Sequence, residues 1–244
     1  MAIQVTTTTT AVMGNTIRAR FFLLAATGLV AIAVLVLAWP RFQAGFRYLP
    51  VDIAIKRYYR DQLIPTDRLP VLIDFAQQAI DRNDHYRYYD GLGLLHYLRG
   101  MDPYTPALER RPAYRLAESA TITSLQQSPA QPGAWLRLAT VRWILHDEPE
   151  TIIQAWKMSI FTSRTNAPLL AQRVEMGLAH RQYMDDEAVA MLRDQLLLAW
   201  RAQQGSLVRV LARRDRDLAV TGELLVGTDP AVLVEMEVWL EKLR

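Results

Sequence analysis

One stretch dictates most of what this chain can become: Phe21 to Trp39, FFLLAATGLVAIAVLVLAW, with no charged side chain and a single hydroxyl at Thr27. At ~1.5 Å per helical residue it reaches about 28 Å, close to the ~30 Å hydrocarbon core of a bilayer. A helix satisfies its own backbone N–H and C=O groups, as lipid requires. The run predicts one transmembrane helix over 17–40, with roughly two hundred residues left for a body on one side, enough for a real core. Residues 1–16 are a polar lead with five consecutive threonines and no amphipathic pattern, read as a disordered tail.

Arg18 and Arg20 stand directly before the run, as in a signal sequence or signal anchor. Val36-Leu37-Ala38 offers small residues for cleavage, but the run exceeds the roughly 7–15 residues of a signal core, so an uncleaved anchor is expected. The two arginines favour a cytoplasmic N-terminus; Arg41, Arg47, Lys56 and Arg57 pull the other way. Exported domains translocate largely regardless of charge, which places the bulk of the chain in the periplasm of a bacterial inner membrane. Trp39, Phe42, Phe46 and Tyr48 read as an interfacial aromatic belt. Thr27 and Ala31 form a small-xxx-small pair, for which ordinary lipid-facing residues are the better reading.

Charge is nearly balanced, with 28 Lys+Arg against 25 Asp+Glu, which gives no field for nucleic acid. Cysteine is absent, so disulfides, thiol catalysis and cysteine metal sites are excluded.

Residues 41–65 read as a juxtamembrane linker in which Pro50 ends one stretch and Val51–Leu63 forms a short amphipathic helix. From 66 to 244 the pattern is helical throughout. Thr66 or Asp67 caps a helix with the stripe Leu69, Leu72, Ile73, Ala76 and Ile80. Asp84 caps another over His85–Arg99, closed by Gly100. MDPYTPALERRP is a proline-punctuated loop, and a helix follows from Pro112 to Gln127. Beyond Asn166 come LLAQRVEMGLAH, a turn, a helix capped by Asp185 and ended by Gly205, then Ser206–Ala219 and Asp229–Leu243 around the breaker TGELLVGTDP. Strand alternation never runs far, so the class is all-α.

From Pro132 the chain reads PGAWLRLATVRWILHDEPETIIQAWKMSIFTS. This resembles one tetratricopeptide (TPR) repeat, with Trp135, Leu138 and Ala139 on the first consensus positions and HDEPE at the turn. Arg142, Thr151 and Ala155 depart from the pattern. The resemblance covers about Pro112 to Gln204 and implies an α-solenoid, in which stacked helix pairs share a continuous core. Pro129, Pro132, Trp135, Leu138 and Ala139 also give a likeness to VpsP-type exopolysaccharide biosynthesis proteins. That implies a role in polysaccharide synthesis or export, with other envelope-assembly proteins, or the polysaccharide itself, as partners.

The densest polar-aromatic cluster is DHYRYYD, Asp84 to Asp90, followed by His96 and Tyr97. Aromatic faces stack on sugar rings, so Tyr86, Tyr88, Tyr89 and His96 are candidate ligand or partner contacts, with Arg137 and Arg142 on the repeat-like helix. Packing with hydroxyls at the edge is the competing and favoured reading. His85 and His96 stand too far apart to share a zinc ion unaided. His146-Asp147-Glu148 reads as a solvated turn, and Asp185-Asp186-Glu187 as acids on a helix start. Arg209, Arg213, Arg214 and Arg216 interleave with Asp215 and Asp217 as a solvated face with internal ion pairs. No phosphate loop, Gly-x-Ser-x-Gly or His-Glu-x-x-His occurs, so no catalytic, cofactor or metal residues are assigned. The expectation is a non-enzymatic, membrane-anchored scaffold. A cytoplasm-facing adaptor and a glycan-modifying enzyme stand as alternatives.

Overall fold

The structure is a computed structural model that describes residues 9–60, 62–227 and 230–242. The described residues are helical, without strands, in ten α-helices. Helix α1 runs unbroken from Thr9 to Tyr58. It is the one described helix long and apolar enough to cross a membrane, and its apolar window is entirely unburied. Leu24, Leu29, Leu35 and Leu37 are 68–76% exposed, as expected of a rod with no protein around it.

Two sequence expectations change here. Residues 9–16 of the polar lead belong to α1, while 1–8 lie outside the described residues. Residues 41–58 are no linker with a break at Pro50, because the helix passes through both Pro40 and Pro50. Each proline removes one N–H donor, at a cost of about 3 kcal/mol in an ordinary helix interior. The freed carbonyls belong to Val36 and Phe46, both well exposed, and packing compensates on the other face. Ala44, Tyr48 and Val51, spaced by four and three, are 0–4% exposed against α2 and α3.

After a 3-10 turn at Thr66–Arg68, α2 (Leu69–Ile80) folds back along α1, and Arg82 at its end donates to Gln43 at 2.6 Å. Neither Thr66 nor Asp67 caps it; Arg68 holds the cap position without a side-chain bond. Leu69, Leu72, Ala76 and Ala79 are its buried set, with Ile73 and Ile80 packed beside them. Helix α3 (Tyr86–Met101) is capped by His85, whose Nδ1 accepts from the Arg87 N–H at 3.3 Å, and not by Asp84. Gly100 does not end α3 but lies buried inside it, against the Tyr114 ring. Helix α4 (Ala107–Gln127) begins five residues before Pro112, and the carbonyl that proline leaves unbonded is that of Leu108, 92% exposed.

The next two hairpins are α5 (Pro132–Leu145) with α6 (Pro149–Thr162) and α7 (Ala167–Ala179) with α8 (Asp186–Arg214). Proline in the first turn of α2, α5, α6 and α7 costs no hydrogen bond there. The turn between α5 and α6 opens with His146 in the left-handed conformation, φ 61. Asp185 caps α8 as expected, accepting from the Ala188 N–H at 2.7 Å. Gln203 (φ −148, ψ 50) breaks α8 into two helical segments, close to the stop expected at Gly205. The breaker TGELLVGTDP is partly helical, in α9 (Ala219–Leu224), and α10 (Pro230–Glu241) returns onto α8.

Hairpins α3/α4, α5/α6 and α7/α8 pack in series, and their first helices touch one another along one side. Trp156, 1% exposed, is the largest fully buried side chain of the distal core, and Leu192, Leu196, Leu207 and Leu211 fill in around it. The proximal core joins α1, α2 and α3 through Tyr48, Leu72, Leu92 and Leu95.

Helix α3 approaches its neighbours at glycines. A Cβ at Gly93 would lie 2.6 Å from Thr121 Oγ1 and 3.3 Å from the Ala117 carbonyl, and one at Gly91 would meet the Tyr48 hydroxyl. Replacing a mid-helix glycine by alanine ordinarily stabilises by up to ~1 kcal/mol. At Gly93 overpacking against backbone wins, so Gly93→Ala is expected to destabilise by about 1–3 kcal/mol in urea titrations of the purified chain. A stabilised Gly93→Ala would show that α3 and α4 are not this close.

Candidate binding groove

The six candidate contacts do not come together. Tyr88 is buried against Tyr48, ring centroids 4.8 Å apart, and His96 is 8% exposed. Tyr86 stacks beside His85 at 4.6 Å, and its backbone carbonyl accepts from Ser124 Oγ at 2.9 Å. Tyr89 is half-buried, and burial raises its pKa, with a hydrogen bond to Asp84 adding to the shift. Arg142 reaches Glu118 at 3.3 Å and the Thr151 carbonyl at 3.1 Å.

Arg137 holds α3, α4 and α5 together. Only 7% exposed, it donates to the Asp90 carboxylate, to the Asp90 carbonyl at 3.2 Å and to Thr121 Oγ1 at 3.3 Å. Burial opposes its charge, but Asp90 and the Tyr59 hydroxyl outweigh that and leave its pKa raised. Tyr88, His96 and Arg137 are thus occupied inside the body, as packing and pairing residues.

One surface open to a ligand lies on the side where α3, α5 and α7 meet. A groove of about 340 Å³ is lined by Tyr97, Thr140, Trp143, Gln172, Glu175 and Met176. Gln172 donates to Thr140 Oγ1 at 3.2 Å, which fixes the amide across α5 and α7. The Trp143 ring is held edge-on by His180 at 5.2 Å and covered by the Arg214 guanidinium at 5.0 Å. Glu175 takes Arg213 at 3.2 Å and Arg214 at 3.5 Å. The basic run after Arg209 therefore pairs across to α7, and its Asp215 is buried, accepting from the Val220 and Thr221 N–H groups of α9. Burial pushes the Tyr97 hydroxyl up to about 12, so it stays a neutral donor. An aromatic wall, a fixed amide and a carboxylate paired with two arginines suit an extended peptide or a sugar face.

One organising residue escaped the sequence reading. Arg173 is fully buried, with no carboxylate partner among the described residues. It donates to Ser159 Oγ (3.0 Å), the Ser159 carbonyl (2.5 Å), the Ser163 carbonyl (2.9 Å) and Gln195 Oε1 (3.1 Å). It satisfies the carbonyl end of α6, where the helix dipole favours a cation. Burial lowers its pKa to about 10, still charged at neutral pH. Its spacing of three from Leu170 and one before Val174 was the available signal, since it places an arginine on a buried stripe.

No group of three or more His, Cys, Asp or Glu able to hold a metal occurs among the described residues. No family model matches the chain, and no curated protein matches it.

His96 gives a pH prediction. Burial, with Arg99 adding to it, lowers its pKa to about 4, and its Nδ1 has no hydrogen-bond partner among the described residues. As pH falls below ~6.5 the unfolded chain takes up a proton that the folded chain refuses, so stability drops until about pH 4, by up to about 3 kcal/mol. Asp52, Asp185 and Asp194 have lowered pKa values, so their loss comes at still lower pH. Urea midpoints between pH 7 and pH 4.5 are expected to fall in the native chain and to flatten in His96→Leu. Parallel slopes would place the titration elsewhere.

Proposed function

We propose that this protein is a membrane-anchored, non-enzymatic scaffold that presents the α3–α5–α7 groove to a partner protein segment at a fixed height above the bilayer. The observation that carries this is the groove's make-up: an aromatic face, an amide and a carboxylate, each held in place by neighbours, with the body fused to an apolar helix through shared core residues. Tethering acts through effective concentration, because the anchor confines body and partner to one surface.

The bacterial inner membrane, with the body on the periplasmic side, is supported by Arg18 and Arg20 before the apolar run. The helix-turn-helix series and the Trp135–Leu138–Ala139 pattern support a TPR-like identity. The likeness to VpsP-type proteins points to exopolysaccharide or cell-envelope polysaccharide assembly as the setting.

A photo-crosslinking amino acid placed at Gln172, in the groove, is expected to give one discrete adduct in cells. The same probe at Phe161, exposed on α6, is expected to give none, and Trp143→Ala is expected to weaken the Gln172 adduct about tenfold. Equal adducts from both positions, or a groove adduct indifferent to Trp143→Ala, would refute the groove as the binding surface.

A further inference from the structure

A second, larger cleft of about 700 Å³ opens where α1 leaves its apolar segment. One wall is a single face of α1, Arg41, Gly45, Tyr48 and Asp52, spaced by four, three and four; the other is formed by Asn83, Asp84, His85, Arg87 and Tyr88 around the start of α3.

Its height along α1 follows from helix geometry. Arg41 lies two residues, about 3 Å, beyond Trp39, the last residue of the apolar run, and Asp52 lies about 17 Å further along the axis. The headgroup layer adds roughly 5–7 Å beyond the hydrocarbon on each side. If α1 crosses a bilayer, the Arg41 end of the cleft stands within that layer. The α2–α3 connection is pinned at the same level by the Arg82–Gln43 hydrogen bond.

Two carboxylates line the cleft, Asp52 and Asp84, the latter accepting from the Gln127 amide at 2.7 Å; the cations around them are Arg41, Arg87 and Lys56. Asp52 is shared between Arg87 and Lys56, two cations on one carboxylate. Arg41 makes no hydrogen bond or ion pair among the described residues. A phosphodiester offers two oxygens to such donors, and hydrogen bonds to a charged group are among the stronger ones.

Glycine in a helix interior is disfavoured against alanine by up to ~1 kcal/mol; a close neighbour explains it at Gly91 and Gly93, whereas Gly28, Gly133, Gly205 and Gly222 have open space where a Cβ would stand. At Gly45 a Cβ would meet nothing within 4 Å. No packing partner requires the missing side chain; what it leaves is open volume over the cleft.

We infer that this cleft binds the phosphate headgroup of a phospholipid from the adjoining leaflet, Arg41 donating to the phosphate and Gly45 leaving room for it. The inference rests on α1 crossing a bilayer but not on the groove. A lipid is favoured over free phosphate because the cleft's open end lies where lipid phosphates are concentrated.

The test is native mass spectrometry of the full-length chain in mild detergent, with phosphatidylglycerol as the probe lipid. One tightly held lipid per chain is expected. Arg41→Gln is expected to weaken it about tenfold, and Gly45→Phe, which puts a ring into the open volume, by at least as much. Gly45→Ala and Arg47→Gln are expected to retain it, and thermal melting in the same detergent confirms that each variant is folded. Equal retention in folded Arg41→Gln and Gly45→Phe would overturn the site, and displacement by excess inorganic phosphate would overturn the lipid as its occupant. Failure of the underlying membrane reading is recognised separately, by recovery of the native chain in the soluble fraction without detergent.

Discussion

Helix α1 belongs at once to the apolar rod and to the core of the body, and the rest of the structure depends on that double use. Ala44, Tyr48 and Val51 are buried in the core of the domain, within about three helical turns of Trp39. The Tyr48 hydroxyl donates to the Arg87 carbonyl at 3.1 Å, which ties the rod to the first turn of α3. A body so attached does not swing on a tether. Its height and heading are set by the rod, and so are those of any surface it presents. Two prolines that would end an ordinary helix are tolerated because one side of α1 is held by packing and the freed carbonyls face outward.

Away from the rod, buried polar groups set how the hairpins register. Apolar faces alone leave helices free to slide by a turn at modest cost. Arg137 with Asp90 and Thr121 fixes α3, α4 and α5, and Arg173 with Ser159, Ser163 and Gln195 fixes α6, α7 and α8. Removing either arginine would leave several buried acceptors unpaired, at about 1–3 kcal/mol each. The hairpin stack thus has one polar lock per junction, with Trp156 donating to the Arg173 carbonyl at 2.8 Å to join lock and core.

The sequence disclosed the helical class, the apolar run and most helices, because these depend on local periodicity and on first-turn prolines such as Pro132 and Pro149. It misjudged features whose meaning depends on a neighbour. Gly100 reads as a stop, yet it is a helical residue that gives way to the Tyr114 ring; Pro50 reads as a break, yet packing at Tyr48 and Val51 carries the helix past it. The tyrosines of DHYRYYD drew attention by density, but density does not say which side of a helix faces in, and Tyr88 turned to Tyr48. The groove was hidden for a related reason. Its residues are contributed by three helices at intervals of three and four, and only the stacking of α3, α5 and α7 brings Tyr97, Trp143 and Glu175 to one place.

The continuity of α1 is open to direct measurement, helped by the absence of native cysteine. Spin labels at Val34→Cys and Arg57→Cys, both exposed, can be read by pulsed electron resonance in vesicles. Twenty-three residues of unbroken helix place the two sites about 35 Å apart along the axis, within a narrow distribution. A mean well short of about 28 Å, or a broad spread, would mean that the chain bends at Pro40 or Pro50 and that rod and body are separate pieces.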